Sequence, residues 1–370
     1  DFVGESIGVV IAETFEQARF AAKLVKVSYQ KAEAKVDFEK EKSNAFKPQQ
    51  REDEVRGDVE KALQTADFKV EETYFTPIEH HQPMAPHATI AVWEADDKLT
   101  LYNESQVVNG VQNGIASVFG LKPENVRVIT PHIGGGFGSK GGAWGHVVIA
   151  AMAAKVVKRP VKLALTRQMM FNSVGLRQKN YQKIRLAATK DGKLTAISHE
   201  TTTHCAITEE FVEGCGDVSK MMYDAPNSRI TYRVAKMHVI LPTFNRAPGK
   251  STGSFALESA MDELAHKLKI DPVEFRIKNE PAKDPSNNKP WSSRSVVECL
   301  KKGAEVFGWN KRKFEPRANK QGDFWVGYGV GCGSYPARQR DTSAIVKLTR
   351  NANDVRASIE LAASDLGTGT

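Results

Sequence analysis

Cysteine is scarce and scattered: Cys205, Cys215, Cys299 and Cys332 are the only four in 370 residues, and no two stand in C-x-x-C spacing. That excludes the usual zinc and iron–sulfur patterns and fits a chain folded in a reducing compartment. No apolar run reaches the ~20 residues that a bilayer requires, because the best, Ala143 to Val157, is broken by His146. Lys and Arg outnumber Asp and Glu by 52 to 44, for a net charge of +8. Yet no basic run is interleaved with aromatics, so nucleic acid is not the indicated partner. A phosphorylated cofactor or an acidic partner subunit suits that charge better. The most pointed absence is local. Between Glu124 and Asp191 there is no acidic residue at all, while Lys and Arg recur throughout.

Inside that acid-free span lies Pro131-His132-Ile133-Gly134-Gly135-Gly136-Phe137-Gly138-Ser139-Lys140. Asn125 to Thr130 ahead of it alternates and is β-branched, which predicts a strand. Gly142 to Val157 behind it predicts a helix, with cations in the last turn and a stop at Pro160. Strand, glycine loop and helix in that order make an anion site, because glycine admits close backbone approach and the first helical N–H groups point outward. Gly136, Gly138 and Gly141 satisfy G-x-G-x-x-G, but the acidic residue expected ~20 positions on is missing. A nicotinamide-dependent dehydrogenase is therefore only a third reading. The phosphate loop of nucleotide hydrolases also fails, since Ser139 stands where its glycine should precede Lys140. The residues point to an anionic cofactor held by main-chain amides; the bland alternative is a glycine-rich turn beside a solvated helix.

The length implies two or three domains. Ile7 to Ala12 and Lys26 to Tyr29 predict strands around a helix opened by a Thr14/Gln17 capping box. Residues 31–67 read as a charged surface linker, with one short helix from Asp58 to Leu63. Further strands are expected over Lys69 to Phe75, Ala88 to Trp93, Lys98 to Tyr102, Val161 to Leu165, Ile184 to Ala188, Thr195 to Thr202 and Met237 to Pro242. Asp191-Gly192 reads as a hairpin turn. Gly253 to Lys267 predicts an amphipathic helix, with Phe255, Leu257, Met261, Leu264, Ala265 and Leu268 as its apolar stripe. Gly327 to Ser334 and Ala344 to Leu348 are expected to open a new β-rich unit. His80, His81 and His87 invite a metal, but adjacent residues of a strand face opposite ways and prolines interrupt the segment, so none is expected. Gln106, at a strand-to-helix junction, would on local grounds cap the helix. Arg246, before Ala247-Pro248-Gly249, sits on a tight turn where its side chain can enter a cleft or pair with a surface carboxylate.

Gly134-Gly135-Gly136-Phe137-Gly138-Ser139-Lys140 resembles the GGGFG(G/S)K signature of the xanthine dehydrogenase / aldehyde oxidase family, in its molybdopterin-binding subunit. Thr166 to Phe171, Asn245 to Gly249, Phe255 to Ala265 and Asp365 to Thr370 resemble further motifs of that family, in family order. The resemblance is greatest to bacterial aldehyde-oxidising enzymes. It implies an α+β fold of mixed sheets with packed helices, divided as follows. Residues 1–30 close a small α/β hammerhead domain, 68–310 form a first molybdopterin-binding domain, and 323–370 begin a second, truncated one.

By resemblance, the cofactor is molybdopterin cytosine dinucleotide, with molybdenum held through the pterin dithiolene and no protein metal ligand. Gly135, Gly136, Phe137 and Gly138 would contact it, Gln106 would hydrogen-bond the metal's oxo ligand, and Arg246 would orient substrate. Gly367, Thr368, Gly369 and Thr370 would belong to the dinucleotide-phosphate loop. The reaction would hydroxylate an aldehyde or N-heterocycle with oxygen from water, in the cytoplasm or periplasm, and electrons would leave through [2Fe-2S] clusters and FAD on partner subunits. A non-catalytic cofactor-carrying or assembly module is the alternative. Several positions depart from the family. Ala85 replaces a glutamate, Lys250 replaces an acid, and Gly141 stands where purine-oxidising relatives carry a glutamate. The family's general-base glutamate has no match, so this piece alone is expected not to turn over.

Overall fold

The computed structural model describes residues 4–335, 343–352 and 354–361. It separates into two compact units: the described residues of Asp1–Ala32, His80–Leu176 and Pro336–Thr370, and those of Glu33–Glu79 and Arg177–Tyr335. Sheets of mixed direction with packed helices make this the expected α+β class. Among the described residues no helix is long and apolar enough to cross a membrane.

The first unit is built on a four-stranded sheet, in spatial order Val126–Ile129, Lys98–Asn103, Ala88–Ala95 and Val161–Ala164. Leu99 and Leu101, two apart on one strand, face the same way and are buried against Val111 and Ile115 of the helix Val108–Phe119. Val147, Ala150 and Ala151 of the helix Gly145–Val157 complete that core. Lys98–Asn103 and Val126–Ile129 are parallel, so the chain must cross over between them, and Val108–Phe119 is that crossover. Both strands therefore end on the same edge of the sheet. The segments that follow them, from Glu104 and from Thr130, emerge side by side, where ligands bind in open parallel sheets.

The capping box at Thr14 and Gln17 forms as expected, opening the helix Phe15–Leu24. Ile7 to Ala12 and Lys26 to Tyr29 are not strands, however, and Ile7, Val9, Val27 and Tyr29 are exposed. The first is an apolar run and the second alternates, but among the described residues neither finds a neighbouring ladder to complete. Gly327 to Ser334 likewise forms no strand. Ala344–Asn351 does pair, antiparallel with Asp354–Leu361.

In the second unit the five-stranded order is Glu54–Arg56, Asn227–Met237, Leu194–Ala206, Asn180–Ala188 and Phe68–Thr76. Leu194–Ala206 and Asn227–Met237 are parallel, and the other neighbours antiparallel. The turn through Gly192 joins the hairpin, as read from Asp191-Gly192. Met237 to Pro242 does not form the expected strand; Met237 is instead the last residue of one. The helix Lys250–Leu268 lies on the sheet face that carries Ile184 and Leu186, burying Ala256, Leu257, Ala260, Met261 and Leu264. Phe255, placed on the apolar stripe from its spacing, is half exposed and meets Tyr74 edge-on. Within 31–67, Phe38 is buried, Glu54–Arg56 joins the sheet edge, and Val59–Thr65 packs on the face of Ala187 and Ala196.

Arg276, 1% exposed, ties this helix layer together. Its guanidinium donates to the Glu258 carboxylate at 2.8 Å and the Asp262 carboxylate at 2.7 Å. Glu258 accepts in addition from the Tyr223 hydroxyl and the Cys332 amide. Removing the cation strands a buried carboxylate, so Arg276→Met is expected to cost about 3–5 kcal/mol. Urea unfolding should report it, and a loss below about 1 kcal/mol would contradict this account.

Candidate functional site

The glycine loop leaves the carboxyl end of Val126–Ile129 in a conformation that few sequences tolerate. Gly134, Gly135 and Gly138 have φ of 65°, 83° and 114°, and Phe137, an aromatic residue, is held at 54°. For a bulky side chain that is a strained angle, of the kind that clusters at ligand sites. Close packing adds to the demand, because a Cβ on Gly134 would stand 2.3 Å from that of Ala85.

Gln106 does not cap the following helix, whose N-cap is Val107. Its side-chain Oε1 accepts instead from the amides of Gly138 at 2.9 Å and Lys140 at 3.2 Å. That fixes the orientation of the carboxamide. Nε2, with two protons, is left to donate, and among the described residues nothing accepts from it. The amides of Gly135, Gly136 and Phe137 also find no acceptor there, whereas Gly138 has spent its own on Gln106. Three of the four expected loop amides thus have no acceptor among the described residues, and neither has the Gln106 amine.

Lys140 proves to be the residue that holds this loop, a role its place at the end of the motif did not disclose. Its side chain is 0% exposed, and all three ammonium protons are used. They go to the Ala85 carbonyl at 3.0 Å, the Ile133 carbonyl at 2.6 Å and the Glu104 carboxylate at 2.6 Å. Burial pulls its pKa below the usual lysine value, with Glu104 opposing the fall. His87 Nε2 donates to the Ser139 carbonyl at 3.2 Å, and Trp144 Nε1 to the same oxygen at 2.5 Å. Arg167, from the Thr166-to-Phe171 motif, donates to the carbonyls of Pro83 and Met84. Its partners keep the neighbouring segment in place, where Gln82 too has a positive φ. His80 stacks edge-on with Phe171, and among the described residues no group of His, Cys, Asp or Glu is arranged to hold a metal ion.

In the second unit, Arg246 is exposed, and its guanidinium meets no described hydrogen-bonding or ionic partner. Its turn is anchored from beneath by buried Arg177 and Glu213, which sequence reasoning missed because neither lies in a motif. Lys250 does not add charge to a pocket: its buried ammonium lies 3.3 Å from the Asp217 carboxylate. Glu258 is engaged by Arg276. Gly367, Thr368, Gly369 and Thr370 lie outside the described residues.

Residues 38–280 match the family described as "Molybdopterin cofactor-binding domain". The chain is 38% identical over 368 residues to the aldehyde oxidoreductase molybdenum-binding subunit PaoC of Escherichia coli K12, which covers 99% of this chain and 50% of that protein. It is 30% identical over 286 residues to the xanthine dehydrogenase molybdenum-binding subunit of Escherichia coli O157:H7, with 75% and 38% covered. The fold matches the aldehyde oxidoreductase of Desulfovibrio gigas with a TM-score of 0.71 at 24% identity, over 80% of this chain and 34% of that one. The chain thus spans about half the length, or less, of the curated relatives named here. A molybdopterin cofactor presents acceptors in its phosphate and oxo groups. The unspent amides of Gly135, Gly136 and Phe137 and the Gln106 amine are donors, so the residues present fit the group. With its domain model matched over more than half of the chain, this protein belongs to the xanthine dehydrogenase / aldehyde oxidase family, as a bearer of the molybdopterin cofactor-binding domain.

Proposed function

We propose that the protein serves as the molybdenum-binding part of a hydroxylase that oxidises aldehydes, with water as oxygen donor. The observation that carries this reading is the strained glycine loop with its three unspent amides, beside a glutamine locked into donating. When bound, the cofactor supplies the two-electron redox centre of the reaction. Gly135, Gly136 and Phe137 would grip it by their N–H groups, and Gln106 Nε2 would donate to its oxo ligand. Lys140 would keep the loop's shape, and Arg246 would meet the substrate's carbonyl oxygen. Glu104 is engaged by Lys140 and Glu258 by Arg276, so proton abstraction is assigned to neither. The cytosine dinucleotide form, a phosphate contact through Gly367 to Thr370, and electron transfer to [2Fe-2S] and FAD subunits belong to the same proposal and rest on the family resemblance.

Gly141 carries no carboxylate to anchor a purine. The complete enzyme's specificity constant for benzaldehyde is therefore expected to exceed that for xanthine by at least tenfold, about 1.4 kcal/mol of transition-state preference. Steady-state kinetics with an artificial electron acceptor checks it, and a preference for xanthine overturns the assignment. Bound pterin and molybdenum without turnover would favour a cofactor-carrying module instead.

A further inference from the structure

The turn that carries Arg246 is held in a form its own sequence resists. Ala247 has φ of 53°, and it precedes Pro248, which further narrows the backbone region open to it. Gly249 follows at 68°, and any Cβ there would stand 2.5 Å from the Gly214 backbone. Such a turn persists only if its surroundings over-determine it.

They do so through one buried ion pair. Arg177 is 4% exposed and Glu213 3%, with Nε and Oε2 3.2 Å apart. Arg177 Nη2 donates to the carbonyls of Asn245 at 2.9 Å and Arg246 at 2.6 Å. Glu213 accepts from the Asn245 amide at 3.1 Å and the Gly249 amide at 3.0 Å. Asn245 Oδ1 closes the set by accepting from the Arg246 amide at 2.7 Å. Glu79 supplies a second carboxylate to Arg177 from the more exposed side. A buried ion pair is seldom the most stable filling of its space, since an apolar replacement often does as well. Here nearly every spare donor and acceptor of the pair is directed at the backbone of a single turn. The side chain that this turn carries, Arg246, is a cation without a partner among the described residues.

We propose that Arg177 and Glu213 are positioning residues, which hold the Arg246 backbone in a strained turn so that its guanidinium is presented to the carbonyl or carboxylate oxygen of the substrate. This rests on the proposed function, in which Arg246 meets substrate. Strain in the turn is the device: relaxed, the turn would let the guanidinium wander and lose orientation.

The test uses the complete enzyme, of which this chain is a part, carrying its cofactor. Glu213→Gln leaves Arg177 paired with Glu79, so no buried charge is orphaned. It is expected to raise KM for benzaldehyde on the order of tenfold, with kcat changed less than about threefold and molybdenum content unchanged. In an Arg246→Ala background the same substitution should change KM no further, because the pair acts through Arg246. Ala247→Gly gives a second and opposite signature. By removing the positive-φ penalty it should raise the unfolding temperature while also raising KM. Binding of benzoate, followed by calorimetry, should weaken in parallel in all three variants. Effects of Glu213→Gln and Arg246→Ala that simply multiply would overturn the proposal, as would an Ala247→Gly protein that is stabilised with unchanged KM. If Glu213→Gln fails to fold, the Ala247→Gly result decides alone. Absence of benzaldehyde turnover in the unaltered enzyme would instead overturn the proposed function, and benzoate binding would still report on the turn.

Discussion

Gly136→Val is expected to empty the protein of its cofactor while leaving the four-stranded and five-stranded sheets folded. Gly136 does not need an unusual backbone angle; it needs space. A Cβ there would stand 2.4 Å from Gln106 Oε1, 2.7 Å from its Cδ and 2.9 Å from its Cγ. The carboxamide can swing away, but only by abandoning the amides of Gly138 and Lys140. One substitution therefore displaces the proposed oxo-ligand donor and releases the two bonds that shape the loop's second half. Molybdenum by elemental analysis and pterin by fluorescence should fall by at least about tenfold, equivalent to ~1.4 kcal/mol of binding. Gly142→Ala is the matching control, because a Cβ at Gly142 meets nothing within 4 Å. Cofactor content at the unaltered level in Gly136→Val would mean that this loop is not the binding site.

Stability is expected to collapse between about pH 6.5 and 4.5, before most carboxylates protonate. Burial drives the pKa of His87 down to about 4, His146 to about 3, His199 to about 3 and His204 to about 4. All four are buried, and His199 is fully enclosed, with Ser219 and Gln182 on its two ring nitrogens. Each is neutral in the folded chain and binds a proton at its ordinary pKa once unfolded. Below pH 6.5 the unfolded state therefore holds more protons, and stability falls as pH falls. Their contribution is complete above pH 6.5 and is lost progressively down to the folded pKa values. Each histidine loses about 1.4 kcal/mol per pH unit inside that window, so the four together approach ~5 kcal/mol per unit. Urea midpoints followed by tryptophan fluorescence at pH 7.5, 6.0 and 5.0 would measure it. Equal midpoints at pH 7.5 and 5.0 would show that these rings are not held neutral.

Local patterns in the sequence determined most of the elements and the location of the loop. The strand before the glycines, the alanine-rich helix after them, the Thr14 capping box and the Asp191-Gly192 turn all depend on residues within a few positions of one another. Such features are encoded by periodicity, capping side chains and turn chemistry, and they form largely as read. Ile7 to Ala12 is an apolar run suited to a buried strand and still forms none, because a strand is completed by a partner that its own residues do not specify. The family motifs named the loop, Gln106 and Arg246 together. What held them in place was decided by tertiary structure alone. Lys140 needs the carbonyls of Ala85 and Ile133 and the carboxylate of Glu104 around one ammonium. Arg177 and Glu213 need the Asn245-to-Gly249 turn folded over them. A buried charge is tolerable only where several distant groups converge to replace its water, and that convergence is a property of the packed chain, invisible in the order of its residues.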